Sequence, residues 1–305
     1  MSHTGLSTCA STLNPGTGTS SSLHISSIWL YNGLQIFGFI AVAGLTITAF
    51  FSSHIKRAPI WYMFMLGWVW WCISYFALVG QQTGAHCPAF GYCLVQAAMI
   101  YAGPPANACA TLAILLEIYL SARITFAQAT GNRRWIHHLV LAPAVIYLSV
   151  FIVVIVYGVM HPSKVQRSET GMYCNLADVV PTSISAILVA IFSIAMLCLE
   201  VKTFTMLYKN WLVNRRRRIP KQNVLPTGMI VRVSLFSFLP ILALVLSILA
   251  ATSTTRSSET EKVISAIVTA SLSGAAALIF GSQRDLLRAM FCMVRFDDPA
   301  IGMIQ

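Results

Sequence analysis

The sequence predicts an all-α integral membrane protein, a bundle of seven transmembrane helices ending in a short interfacial helix, and three observations predict it. Seven apolar stretches recur along the 305 residues, each near the roughly 20 residues that cross ~30 Å of hydrocarbon at 1.5 Å per residue. Only 10% of the residues are charged and 57% are hydrophobic, whereas a soluble domain carries about a quarter charged residues. Lys and Arg gather in alternate connecting segments, the asymmetry that orients inserted helices.

Residues 1–26 are rich in Ser, Thr and Gly and hold no Lys, Arg, Asp or Glu. Such a segment lacks the apolar surface to order itself and reads as a disordered extracellular tail. It also lacks a basic start and a short apolar run, so the first span is expected to act as an uncleaved signal anchor.

The spans are placed at 27–51, 60–80, 94–121, 136–159, 179–206, 229–252 and 263–281, giving one seven-transmembrane domain over 27–282. Pro104 and Pro105 in the third and Pro240 in the sixth are expected to kink or open their helices. No internal repeat is evident, which weighs against a transporter built from paired halves.

The connecting segments separate by charge. One face receives Lys56, Arg57, Arg123, Arg133, Arg134, Lys202, Lys209, Arg215, Arg216, Arg217, Arg218, Lys221, Arg232, Arg284, Arg288 and Arg295. The other receives Lys164, Arg167, Arg256 and Lys262, matched by Glu169, Asp178, Glu259 and Glu261. The rich face is therefore expected in the cytoplasm, with the N-terminus outside and a multi-pass placement in the plasma membrane. On this reading the net charge of +11 attracts anionic inner-leaflet phospholipid and needs no nucleic acid. The run Arg215 to Arg218 fits a topology anchor on headgroups and equally a docking surface for a cytoplasmic signalling protein.

Of eight cysteines, Cys72, Cys109 and Cys198 fall inside spans and read as small packing residues, since nothing with metal-ligand spacing accompanies them. Cys9, Cys87, Cys93 and Cys174 face the oxidising side and are the disulfide candidates. Cys93 to Cys174 would tie the second outer loop over the bundle, and Cys87 to Cys174 competes with it. Cys292 is juxtamembrane and fits either palmitoylation or an ordinary interfacial residue.

Asn107, Thr111, Glu117 and Ser121 project within about a third of the circumference of the third helix at 100° per residue. Ionisable groups at membrane depth are costly, so Glu117 is a functional candidate, with an interhelical hydrogen bond as its plainer role. Tyr101, Pro104, Pro105 and Asn107 occupy the outer half of that span, where an opened helix would offer backbone groups to a ligand. The expected ligand site is thus Tyr101, Asn107, Thr111 and Glu117, with Trp68, Trp70 and Trp71 nearby or simply packing. Arg123 reads as a switch residue or as a snorkelling helix end, and Glu200 with Lys202 as an interfacial pair. Past Gly281, Ser282 and Asp285 have capping-box spacing, and Leu287, Met290, Phe291 and Val294 recur at helical intervals. Residues 283–305 are accordingly read as an interfacial helix and short cytoplasmic tail.

Four segments carry a family resemblance: Gly80-Gln-Gln-Thr-Gly84, Gly91-Tyr-Cys-Leu-Val-Gln-Ala-Ala-Met-Ile-Tyr-Ala-Gly-Pro-Pro105, Thr170-Gly-Met-Tyr-Cys174 and Ile279-Phe-Gly-Ser-Gln-Arg-Asp-Leu-Leu-Arg288. In them the chain resembles the G-protein-coupled-receptor-like seven-transmembrane proteins of mushroom-forming fungi, a largely orphan group. The resemblance implies a receptor whose cytoplasmic loops, with Arg123 and Arg215 to Arg218, face a heterotrimeric G protein, and it implies no particular ligand. The chain departs from the animal pattern, having Glu117-Ile-Tyr-Leu-Ser-Ala-Arg123 where an acidic-Arg-aromatic triplet would sit and no Asn-Pro-x-x-Tyr in span seven.

Competing classes are weighed on chemistry. A retinal photoreceptor needs a lysine in span seven, and residues 263–281 contain none. A zinc hydrolase needs clustered ligands, and His86, His137, His138 and His161 show no such spacing. The expectation is a receptor, not an enzyme, with no cofactor and no metal; a membrane enzyme of lipid or terpene chemistry and a small-solute transporter are the alternatives.

Overall fold

The computed structural model describes residues 18–52, 57–82, 88–127, 135–168, 170–217, 245 and 259–282. Six helices form the described bundle: α1 (Gly18–Phe51), α2 (Pro59–Phe76), α3 (Phe90–Ala127), α4 (Trp135–Met160), α5 (Val179–Arg217) and α6 (Glu259–Gly281), the last being the predicted seventh span. Five of them, α1, α3, α4, α5 and α6, are long and apolar enough to cross a membrane. Helix α2 has 18 residues and no charge, its apolar character diluted by Trp61, Trp68, Trp70, Trp71, Tyr62 and Tyr75. The predicted span 229–252, with Pro240, and the predicted interfacial helix 283–305, with Cys292, lie outside the described residues.

The observed ends correct several predicted ones. Helix α1 begins at Gly18, inside the stretch read as a disordered tail, because helical geometry continues past the apolar run into Thr19, Ser20 and Ser21. Helix α2 stops at Phe76 and not near residue 80. The chain turns there through Gly80, whose φ of 89° is one that glycine tolerates and other residues resist. Helix α3 is helical straight through Pro104 and Pro105 from Phe90 to Ala127, so the expected opening is not there. Neighbours on several sides hold it: α3 packs against α2, α4, α5 and the short hairpin between α4 and α5. Helix α5 runs 11 residues beyond its predicted end at 206, to Arg217.

The described chain is also not purely helical. Between α4 and α5, after a single 3-10 turn at Pro162–Lys164, β1 (Val165–Arg167) pairs antiparallel with β2 (Cys174–Leu176), in the register Val165 with Leu176, Gln166 with Asn175 and Arg167 with Cys174. Three-residue strands are too short to show alternation in sequence. The pairing survives because β2 is buried against α3, with Cys174 fully buried and Leu176 nearly so.

Helix packing follows the rules for apolar surroundings, where small residues let backbones approach. Ala266, Ala270, Ser273, Ala277 and Gly281 form a small-residue stripe on α6, four of them buried and Gly281 set against Leu45 of α1. A Cβ placed on Gly38 of α1 would come within 2.1 Å of Ser273 Oγ, so the crossing of α1 and α6 depends on that glycine. On the outside, α4 exposes Leu141, Val145, Leu148, Ile152 and Val156, and α5 exposes Ile187, Ile191 and Ile194. Apolar faces of this extent suit lipid and would not be stable in water.

Candidate functional site

The polar interior is best followed from the hairpin downward. The turn joining β1 to β2 dips into the end of the bundle: Thr170 and Gly171 are buried and Met172 is fully so. Gly171 has φ 68°, and its N–H donates to the Ser168 carbonyl at 2.8 Å, a tight reversal that points the next residue inward. Gln82 holds the tip from above, donating from Nε2 to the Met172 carbonyl at 2.9 Å and to Asn32 Oδ1 at 3.0 Å, while Asn32 Nδ2 returns a 2.6 Å bond to Gln82 Oε1. Tyr173 meets Tyr75 of α2 edge-on, with ring centres 5.9 Å apart.

The second anchor is covalent. Cys93, at the start of α3, is bonded to Cys174 on β2, which decides between the two pairings the sequence left open. The Cys174 N–H donates to Gln96 Oε1 at 3.1 Å, and Gln96 Nε2 donates to the Ser74 carbonyl of α2 at 3.2 Å. The fully buried Gln96 thus ties the hairpin, α3 and α2 together. Cys87 and Cys9 lie outside the described residues.

A third anchor sits at the rim. The Tyr157 hydroxyl donates to Asp178 Oδ2 at 2.8 Å, the Val180 N–H to Asp178 Oδ1 at 3.4 Å, and Lys164 Nζ lies 3.9 Å from the same carboxylate. These donors hold the Asp178 carboxyl below its ordinary range, the Tyr157 hydrogen bond contributing most.

The predicted ligand residues do not converge on one pocket. Tyr101 belongs with α4 and the hairpin, its hydroxyl donating to the Leu176 carbonyl at 3.4 Å. Asn107 faces α2, where a Cβ on Gly67 would approach its Oδ1 to 2.5 Å, and its Nδ2 has no partner. Thr111 is buried but donates back to the Asn107 carbonyl at 2.8 Å within its own helix. Glu117 is half-buried and engaged, and Ser121 is exposed, so the polar stripe comes to the surface toward the far end of α3. Arg123 is exposed. Arg215, Arg216 and Arg217 have helical backbone in α5, and Arg218 lies outside the described residues.

Cys72 and Cys109 are buried as expected for packing residues, but Cys198 is exposed on α5 and packs nothing inward. Trp68 and Trp71 are core residues, whereas Trp70 is 46% exposed and donates to the Tyr147 hydroxyl at 2.6 Å. Sequence reasoning missed Tyr31, Asn32 and Gln35 on α1. Their spacing places three polar groups on one stripe of the apolar middle of α1, a signal that was available.

A shallow apolar groove of about 470 Å³ between the first turns of α2 and α4, lined by Pro59, Met63, His137, Val140 and Leu141, includes none of these residues. Among the described residues no three His, Cys, Asp or Glu side chains could hold a metal ion. No protein family matches the chain, and no curated protein is significantly similar to it.

Proposed function

We propose that this protein is a seven-helix receptor of the plasma membrane that passes a signal from outside, or from the membrane itself, to a cytoplasmic heterotrimeric G protein. One observation carries the reading: a hairpin folded into one end of the bundle and bolted to α3 by Cys93–Cys174, above an interior whose buried polar side chains are uncharged among the described residues. A neutral polar interior can recognise a molecule by shape and hydrogen bonding. A bolted mouth suits sensing better than passage of a solute. The basic residues fall on the opposite side from the hairpin in this reading, where Arg123 and the arginines ending α5 would meet the G protein and anionic headgroups.

The test has two arms. Epitope tags on the two chain ends should lie on opposite sides of the membrane. Purified protein in nanodiscs should accelerate nucleotide exchange on purified fungal G-protein heterotrimers, and replacing Arg215, Arg216 and Arg217 by Ala should reduce that acceleration severalfold. Tags on one side, or exchange no faster than with empty nanodiscs for every α-subunit tried, would overturn the proposal.

A further inference from the structure

Five buried side chains in one sector of the core end in hydrogen-bonding groups that meet no protein partner. They are the Tyr31 hydroxyl and both ends of the Gln35 amide on α1, the Trp68 and Trp71 indole N–H groups on α2, and Asn107 Nδ2 on α3. None of the five residues is more than 8% exposed. Their rings run in series, with centres 5.9 Å apart from Trp68 to Trp71, 4.9 Å from Trp71 to Tyr75 and 6.4 Å from Tyr75 to Tyr31. On the seam of α2 with α3, Trp71 lies against Gly103 and Asn107 against Gly67, one helical turn apart on each helix. Tyr31 and Gln35, one turn apart on α1, are near enough to influence each other without completing a hydrogen bond.

A buried donor without a partner is expensive, and its presence calls for a partner from outside the chain. The chemistry of the unmet groups narrows the choice. Two indoles, a phenol and two amide NH2 groups donate, while Gln35 Oε1 and the Tyr31 phenol oxygen are the unmet acceptors, so donors predominate. Neither a cation nor an anion would find a counter-charge among these residues, and a buried unpaired charge is costly. Aromatic rings and N–H donors together suit a flat neutral molecule bearing oxygen or ring-nitrogen acceptors. Room for it requires Met172 to move: this fully buried loop residue belongs to the same cluster as Tyr31, Trp68 and Trp71, and its flexible thioether chain repacks more readily than a ring or a branched chain. A molecule of that kind partitions into hydrocarbon and can reach the bundle from the bilayer.

We propose that the sector between α1, α2 and α3 is a binding site for a small uncharged, lipid-soluble molecule carrying a hydrogen-bond acceptor, seated on Gln35 and the two indoles with Met172 displaced. Binding at this site does not require coupling, and it is measured without G protein, so this inference and the receptor reading fail separately.

The experiment is thermal melting of the full chain in nanodiscs with two matched probe pairs, 9-fluorenone against fluorene and cyclohexanone against cyclohexane. At least one ketone should raise the melting temperature saturably while its hydrocarbon twin does not. Gln35→Leu should weaken the effective ketone at least about tenfold, the cost of one strong hydrogen bond. Met172→Phe should abolish the effect by filling the space, and Met172→Ala should strengthen it. Equal shifts from ketone and hydrocarbon, no shift from either ketone, or a ketone response untouched by Gln35→Leu would each overturn the proposal; Gln35→Leu is near in volume and removes an unpaired amide, so its folding is not at risk.

Discussion

Gln35 and Gln96 are both fully buried glutamines near the hairpin end of the bundle, and their surroundings differ in kind. Gln96, on α3, makes hydrogen bonds with the backbone of α2 and of the hairpin and stands beside a disulfide. Around it Tyr101 and Tyr157 also find acceptors. Gln35, on α1, makes none, and Tyr31, Trp68 and Trp71 in its sector share that condition. Around Gln96 the polar groups fasten elements to one another; around Gln35, below the Asn32–Gln82 pair, these four stay uncommitted. The contrast teaches that a buried amide in a membrane bundle is not by itself evidence of structure or of binding. Its partners decide which.

The largest test of the fastened sector is Cys93→Ser with Cys174→Ser. The bond closes a sequence separation of 81 residues, so its loss is expected to cost about 4 kcal/mol, read as a lowered melting temperature that reductant reproduces in the unmodified protein. Substituting the two glutamines by Leu should then give opposite signs. Gln96→Leu leaves the Cys174 N–H and the Ser74 carbonyl unpaired and should destabilise by about 2 kcal/mol, whereas Gln35→Leu, in the absence of any added ketone, should stabilise by about 1 kcal/mol. Equal signs in a denaturation series would erase the contrast between the two sectors.

Gly38→Ala probes how the uncommitted sector is held at all. The added methyl meets Ser273 Oγ at 2.1 Å and Cβ at 2.8 Å, so α1 and α6 must separate, at a cost of about 2 kcal/mol. Ser273→Ala on the same chain should recover only part of it, since the Cβ conflict remains.

The smallest effect concerns Asp178. Its carboxyl is held below the ordinary 3.8, so the stability it lends is present at neutral pH and is lost as pH falls through 3.8 toward the lower folded value. Tyr157→Phe removes the first cause of that depression, and the melting temperature of the variant should fall less steeply than that of the wild type as the pH drops from about 5 to about 3.

Much of this arrangement was legible in the sequence because the bilayer imposes one strong rule, that an apolar run near 20 residues becomes a helix. The positions of the six described helices follow from it, though not all their ends, and so does the placing of Cys93 and Cys174 on one side of the bundle; the choice of Cys93 over Cys87 as the partner of Cys174 does not. The hairpin was not legible, since Val165-Gln-Arg167 and Cys174-Asn-Leu176 are paired by burial against α3 and not by local preference. Nor was the unbroken α3, where neighbours on several sides outweigh the hydrogen bonds lost at Pro104 and Pro105. Tyr101 and Asn107 looked like one site because they are close in sequence, but six residues at 100° each turn them to different neighbours. Tyr31 and Gln35 escaped because two polar residues in an apolar helix hardly alter its hydropathy.

The reach of α5 has a mechanical meaning. At 39 residues it is about 58 Å long, nearly twice the thickness of the hydrocarbon layer. A continuous helix of that kind is a lever: with its hairpin end held beside Asp178, a pivot of about 10° sweeps the guanidinium-bearing tip sideways by roughly 10 Å. A displacement too small to notice beside Asp178 would arrive at Arg217 as a shift larger than a lipid headgroup.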